Sequence, residues 1–371
     1  MGAAAAAVLA CASLAAAFWT ADAASPSASS ARPCDIYAGA GTPCVAAYST
    51  VRALYHDYNG PLYQVTRAFD SARANIGVLK PGGFADAVAQ DTFCAGAVCT
   101  ITRIYDQSPD HNDLGVGPIG QHGVWDSAAN ASALPVTVDG RHVYGLYVQP
   151  GEGYRNDVTR GVAVGRQPQG AYMVTSAIDT NGGCCFDFGN AETSGTDAGN
   201  GHMDAISFTS LRGAGADPKS SGPWVQADLE NGLFASNGAG RGSNAGIADE
   251  FVTAIVNSDG STMFDVKDGN AQSGGLTTDY SGPLPDLGGY VPLEQEGAII
   301  LGTGGDNSNQ SSGFFFEGAL TAGFPSAATD SAIQANVVAT GYQQLTPVTE
   351  VATLPAGGGK RGAPGRRLTP A

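Results

Sequence analysis

The segment Trp224-Val-Gln-Ala-Asp-Leu-Glu-Asn-Gly-Leu-Phe234 carries two carboxylates two residues apart. Side chains alternate between faces along a strand. Read as a strand, the segment turns Val225, Ala227, Leu229 and Leu233 towards a core. Trp224, Gln226, Asp228 and Glu230 then share the other face, with the two carboxylates roughly 6.5–7 Å apart at the backbone. Like charges that close raise each other's proton affinity. A Trp in line with them offers a flat apolar platform for a sugar ring. The same pattern also fits an ordinary solvated strand face.

A second stretch, Gly302-Thr-Gly-Gly-Asp-Asn-Ser-Asn309, follows the apolar run Ile299 to Leu301 and sets Asp306 at its tip. Glycines let the backbone approach a ligand closely and adopt positive φ. A phosphate-binding loop needs a Lys-Ser/Thr pair and a following helix, and both are missing. A plain acidic β-turn stays open as the alternative. The third feature is the adjacent pair Cys184-Cys185. A bridge between them closes a strained eight-membered ring, since neighbouring Cα atoms stand ~3.8 Å apart across a trans peptide, short of the usual disulfide span. Such strain is kept more often at functional sites than elsewhere. Alternatively, each cysteine bonds a different partner. Other chemistries lack their residues: there is no G-x-S-x-G elbow, no H-E-x-x-H and no dinucleotide fingerprint. The histidines are scattered and no C-x-x-C pair occurs, so no metal site is expected.

The elements that must position these groups read as β-strands. Among 371 residues, 53 are Gly, long helical patterns are scarce, and short apolar runs alternate with turn signals. Pro135 to Val138, Asp139-Gly140 and His142 to Val148 read as a hairpin. Tyr172 to Ile178 reads as a strand. Phe251 to Val256 and Met263 to Val266, joined around Asp259-Gly260, read as a second hairpin. Ile299 to Leu301 and Phe314 to Phe316 read as core strands. Many short strands at this spacing predict an all-β sandwich. One helix is predicted over Ala46 to Tyr55, where Val45, Tyr48, Val51, Leu54 and Tyr55 share a face.

The formal charge of −16 repels phosphate backbones and argues against nucleic acid as a partner. Ala3 to Phe18 is apolar but short of the ~20 residues that span a bilayer. With small residues at Ala21 to Ala23, it reads as a signal peptide over 1–24 and an extracellular protein, with no membrane anchor. Residues 25–33 read as a Ser/Ala/Pro linker, 34–345 as one domain, and 346–371 as a disordered basic tail. Beyond Cys11, six cysteines form close pairs in sequence: Cys34 with Cys44, Cys94 with Cys99, and Cys184 beside Cys185. Six cysteines allow 15 connectivities, and local bridges are the simplest. Acceptor sequons stand at Asn130 and Asn309. The second lies close to Asp306, so it is expected to be bare or to point away from any cleft.

Taken together, several runs resemble the catalytic domain of the fungal-type α-L-arabinofuranosidase B family, glycoside hydrolase family 54. They include Pro33-Cys-Asp-Ile-Tyr37, Ile104-Tyr-Asp-Gln-Ser108, Pro150-Gly-Glu-Gly-Tyr-Arg-Asn156 and Cys184-Cys-Phe-Asp187 with Gly189-Asn-Ala-Glu-Thr193. Asp228-Leu-Glu-Asn231 and Gly304-Gly-Asp-Asn-Ser-Asn309 continue the match, which covers about residues 33–345. The resemblance implies a concanavalin-like β-sandwich, or jelly roll, with the site on its concave face. It implies a retaining α-L-arabinofuranosidase acting on arabinoxylan, arabinan and related plant cell-wall polysaccharide, without cofactor, and a monomer. Glu230 would be the nucleophile and Asp306 the general acid/base, about 5–5.5 Å apart. Asp228 would hold sugar hydroxyls, with Asn231 and the Gly305 backbone nearby. Cys184–Cys185 would wall the sugar, and Cys34–Cys44 and Cys94–Cys99 would be structural bridges. A silent lectin-like module and an enzyme with β-xylosidase side activity are the alternatives. Two departures stand out. A C-terminal arabinose-binding β-trefoil, usual in the family, is not expected in this chain. The family's sugar-contacting Trp, between His202-Met203 and Gly222-Pro-Trp224, is replaced by Leu211-Arg-Gly-Ala-Gly-Ala-Asp217.

Overall fold

The run Val252-Thr-Ala-Ile-Val-Asn-Ser258 is rich in β-branched residues, which suit a pleated surface, and it forms a fully buried strand. It belongs to one of two antiparallel sheets in the computed structural model, which describes residues 1–2, 31–121, 123, 125–237, 244–285 and 293–345. The smaller sheet has six strands in the order Cys44–Ser49, Glu317–Ala322, Gln169–Thr175, Val252–Ser258, Phe264–Asn270 and Thr277–Gly282. The larger runs Leu233–Phe234, Trp224–Asp228, Asp204–Thr209, Asp187–Ala191, Ala298–Leu301, Tyr154–Asn156, Leu114–Val116, Cys99–Ile104, Pro61–Arg67 and Arg73–Gly77. Their facing sides interlock through aromatic contacts: Tyr48 meets Phe188 edge-on at 6.2 Å, and Phe234 meets Phe264 at 6.1 Å. The molecule is therefore a β-sandwich, as expected. All but the first two residues of the expected signal peptide (1–24), most of the linker (25–33) and the tail (346–371) lie outside the described residues. No described helix is long and apolar enough to cross a membrane.

Register decides which side chains face the core. Ala227, Ile206, Phe188 and Leu301 stand side by side across four strands of the larger sheet and join the main core. The next row, Asp228, Ala205, Gly189 and Ile300, must face away from it. On that outward face Ala205 and Ile300 form a separate small apolar cluster with Ala191 and Met203. Gly189 is required there, since a Cβ would lie 2.5 Å from the Cα of Ala205.

Both expected hairpins form, but the first ends at Tyr144, since Leu146–Val148 pairs with Gly313–Phe315, and the strand expected over 172–178 runs Gln169–Thr175. Asp139 and Gly140 take φ of 49° and 69°, joining Pro135–Val138 to Arg141–Tyr144. The helix expected over 46–55 is absent: Cys44–Ser49 is a strand paired with Glu317–Ala322. All six of its residues are buried, so the run is apolar on both faces. Periodicity alone cannot separate such a run from a buried helix. On its free edge the Ala47 N–H is satisfied by Asp106 at 2.8 Å. The helices lie elsewhere: α1 (Pro33–Gly39), α2 (Ala87–Phe93) and α3 (Ala327–Thr340). α3 is capped by Ser326 and stops at Gly341, with φ of 76°. Its buried face carries Asp330, which accepts from Lys267 at 2.6 Å, so polar residues mask its periodicity. The bridges Cys34–Cys44 and Cys94–Cys99 are formed, with Cα atoms 5.6 and 5.9 Å apart.

Candidate active site

A cleft of about 370 Å³ opens on the outward face of the larger sheet, at one end of its strands. Asp228, Glu230, Asn231, Cys184, Cys185, Gly305 and Asp306 all line it. The structure thus gathers every residue expected to act on substrate. Cys184 and Cys185 are bonded to each other across a cis peptide, with Cα atoms 3.0 Å apart, rather than the trans spacing assumed from sequence. The Cys185 sulfur lies 3.9 Å from Asp228 Oδ2, so the pair forms a wall beside that carboxylate.

Two expectations about the Trp224 segment need correction. The strand ends at Asp228, and Glu230 does not lie on it. Leu229 stays in the core, while Glu230 and Asn231 take φ of 66° and 56°. The Glu230 N–H donates to Asp228 Oδ1 at 3.0 Å, which closes the turn. A left-handed non-glycine residue costs of order 1–3 kcal/mol and persists where the surroundings over-determine it. The Asn231-Gly232 dipeptide, a strong hairpin signal, marks this turn in the sequence. Trp224 is not a sugar platform. It is 1 % exposed, packed with Ala216 and Ala235. The wall where the family Trp is missing is made by Leu211 and Arg212. Arg212 stands 5.5 Å from the Trp224 ring centroid and donates to the carbonyls of Pro218 and Ser220.

Opposite parts of the chain hold the second carboxylate. Asp306 follows Gly304 and Gly305 in the loop after Ala298–Leu301, and its Oδ1 accepts the Ser308 N–H at 2.8 Å. Arg155, itself buried, donates to the carbonyls of Gly305 and Glu192 at 2.9 and 2.6 Å. One guanidinium therefore locks the Asp306 loop to the end of strand Asp187–Ala191.

Sequence reasoning gave no role to two acids beneath the cleft, Asp187 and Glu192. Both are fully buried. Asp187 is held well above the usual carboxylate range by burial and then by Asp228 beside it. Asp228 is pushed up to about 7, first by burial. Burial likewise raises the proton affinity of Glu192 and Glu230, whose carboxylate oxygens lie within 4.8 Å of each other. Two buried carboxyls this close resist ionising together. Their only signal in the sequence is position: Asp187 and Glu192 flank Gly189, which lies two strands away from Asp228.

Carboxylate oxygens of Glu192, Asp197 and Glu230 lie within 4.8 Å of one another, as do Cys184, Cys185 and Asp228. In the first set Asn231 already donates to Asp197. The second contains two sulfurs bonded to each other. Neither set is assigned an ion. Asn309 does not fit a glycan acceptor: it is 4 % exposed and its Nδ2 donates to Asp126 at 2.8 Å. Asn130 is half-buried.

Fold and site together define a β-sandwich protein with an acidic, sugar-sized cleft on one sheet, walled by a disulfide. The chain belongs to the family described as Alpha-L-arabinofuranosidase B, catalytic, which matches residues 33–343. It is 50 % identical over 337 residues to a probable α-L-arabinofuranosidase B of Aspergillus terreus, covering 88 % of this chain and 65 % of that one. It is 49 % identical over 337 residues to an arabinofuranosidase/β-xylosidase of Trichoderma koningii, covering 88 % and 66 %. A crystal structure of an arabinofuranosidase complexed with arabinofuranosyl-α-1,2-xylobiose superposes with a TM-score of 0.79 at 47 % identity, covering 84 % of this chain and 65 % of that one. The chain thus spans just under two thirds of the length of these relatives.

Proposed function

We propose that this chain is the catalytic part of a secreted, retaining α-L-arabinofuranosidase that removes terminal arabinofuranosyl groups from plant cell-wall polysaccharide. The observation that carries the reading is the convergence of Glu230, Asp306 and the Cys184–Cys185 wall on one cleft. Arabinofuranosyl-xylobiose in a solved relative supports an arabinoxylan-type substrate. Three disulfides support an oxidising, extracellular setting.

Glu230 attacks the anomeric carbon as the bond to the leaving oxygen breaks, and Asp306 gives that oxygen its proton. Water then attacks the glycosyl ester. Asp306 takes the proton from this water, and Glu230 is released. The turn at Glu230, pinned by Asp228 and the core side chain Leu229, holds the nucleophile in line. Asp306 is partly exposed and lines the cleft, where the leaving group and the attacking water reach it, and the proton taken from that water restores it as an acid. Asp228, paired with Asp187, offers oxygens to sugar hydroxyls. Cleavage of β-xylosides is a second activity, favoured by the name of the Trichoderma koningii relative.

The test is hydrolysis of an aryl α-L-arabinofuranoside, with NMR of the first-formed sugar. Retention of the anomeric configuration is expected. An inverted product overturns the assigned roles even where both carboxylates prove essential.

A further inference from the structure

Glu192 is 0 % exposed, yet it carries a carboxyl group into the floor of an already acidic cleft. The groups facing it come from every neighbouring segment. Glu230 and Asp228 approach from the turn after Trp224–Asp228, and Asp197 approaches from its own loop. Glu296 acts from the segment before Ala298–Leu301, where it is paired with His202 at 2.9 Å. The one guanidinium nearby, that of Arg155, is spent on backbone carbonyls and Asp157, so no cation pairs with the Glu192 side chain among the described residues. Gly305 presses its Cα against the Glu192 carboxyl, closing off water from that side. An ionised carboxylate without a cation in such a place is expensive, and the group neutralises instead. Glu230 lines the open cleft, where substrate and solvent reach it. Of two carboxyls within 4.8 Å of each other, the one sealed from water is the better home for a proton.

We infer that Glu192 is a positioning residue that stays protonated during catalysis and donates its O–H to the Glu230 carboxylate, holding the nucleophile ionised and aimed. This rests on the assignment of Glu230 as nucleophile. When Glu230 forms the glycosyl ester, it ceases to be an anion and the bond from Glu192 weakens. It strengthens again as the ester is cleaved and negative charge returns to Glu230. Glu192 thus stabilises the leaving carboxylate in the second step without giving up its proton.

The test compares Glu192→Gln and Glu192→Ala with the unaltered enzyme on an aryl α-L-arabinofuranoside, reading kcat, KM and the pH profile of kcat/KM. Gln keeps the shape and a neutral N–H donor. It should retain kcat within several-fold and leave the acid limb of the profile in place. Ala removes the donor. Loss of a hydrogen bond to a charged group predicts a kcat lower by about 10- to 100-fold with KM little changed. If Glu192 is instead ionised in the working enzyme, Glu192→Gln deletes a negative charge beside Glu230. The acid limb then moves down by about one unit or more, and the inference is overturned. An unchanged kcat in Glu192→Ala overturns it as well. Infrared difference spectra between the unaltered enzyme and Glu192→Gln at neutral pH give an independent reading. The inference expects a protonated-carboxyl band that is lost in the variant, and a missing band counts against it. Glu230→Gln runs alongside. If the unaltered enzyme is inactive, or Glu230→Gln is active, the functional reading fails. If both behave as assigned and only the Glu192 results differ, the inference alone fails.

Discussion

Gly305 offers a direct measure of how tightly the Asp306 loop is coupled to the segment that carries Glu192. A Cβ at this position would overlap the Glu192 carboxylate and lie 2.6 Å from the Met203 sulfur. Neither neighbour can retreat, because both are buried and Arg155 clamps the carbonyls of Gly305 and Glu192. Heavy atoms in contact prefer ~3.5–4.0 Å, so Gly305→Ala must displace the loop by about 1–2 Å. Asp306 is the next residue and moves with it. A misplacement of that size costs on the order of 10²-fold in rate, and the overpacking costs about 1–3 kcal/mol of stability. The assay is steady-state hydrolysis of two arabinofuranosides, one with an aryl and one with a sugar leaving group, together with a thermal melt. The loss should be greater for the sugar leaving group, which depends more on protonation by Asp306. A folded variant with unchanged kcat on both substrates would refute the proposed coupling between loop and acid.

Glu230→Gln should abolish turnover, whereas Asp306→Asn should spare aryl substrates more than natural ones, because good leaving groups need less protonation; equal losses on both would remove Asp306 from its role. Asp204 is buried, and burial pushes it up to about 7 from 3.8. Between those values the folded state binds more protons than the unfolded one, so this group's contribution to stability falls as pH rises from about 4 to 7. Asp204→Asn should therefore gain stability over the unaltered protein at pH 8 relative to pH 4, and denaturant melts at the two pH values check it. Replacing Arg52 by Met leaves Glu317 buried without its partner, which sits 2.5 Å away, and should cost about 3–5 kcal/mol; a midpoint shift too small for that would show the pair to be dispensable. Peptide mapping of protein secreted from a glycosylating host should find Asn309 bare, since its amide is sequestered by Asp126.

Much of this protein was legible from local features. Alternating and β-branched runs, Asp-Gly turns and closely spaced cysteines each act within a few residues, so they specified most of the strands, two hairpins and three local bridges. Asp228, Glu230 and Asp306 could be picked out because their neighbours, a Leu-rich strand end and a Gly-rich loop, restrict what the backbone can do. The strand reading failed at Glu230 for a physical reason. Period-two alternation survives in the letters across a turn, while Asn231-Gly232 bends the chain there. It failed again at 46–55, where burial on both faces erases periodicity. Tertiary structure alone decided the rest. Sheet register put Asp228, Ala205 and Gly189 in one row across three strands and so brought Asp187 and Glu192 under the cleft. One guanidinium, Arg155, joined two loops 113 residues apart in sequence, between the carbonyls of Glu192 and Gly305. The proton affinity of buried acids depends on distances and desolvation across strands, and no spacing within one segment encodes either.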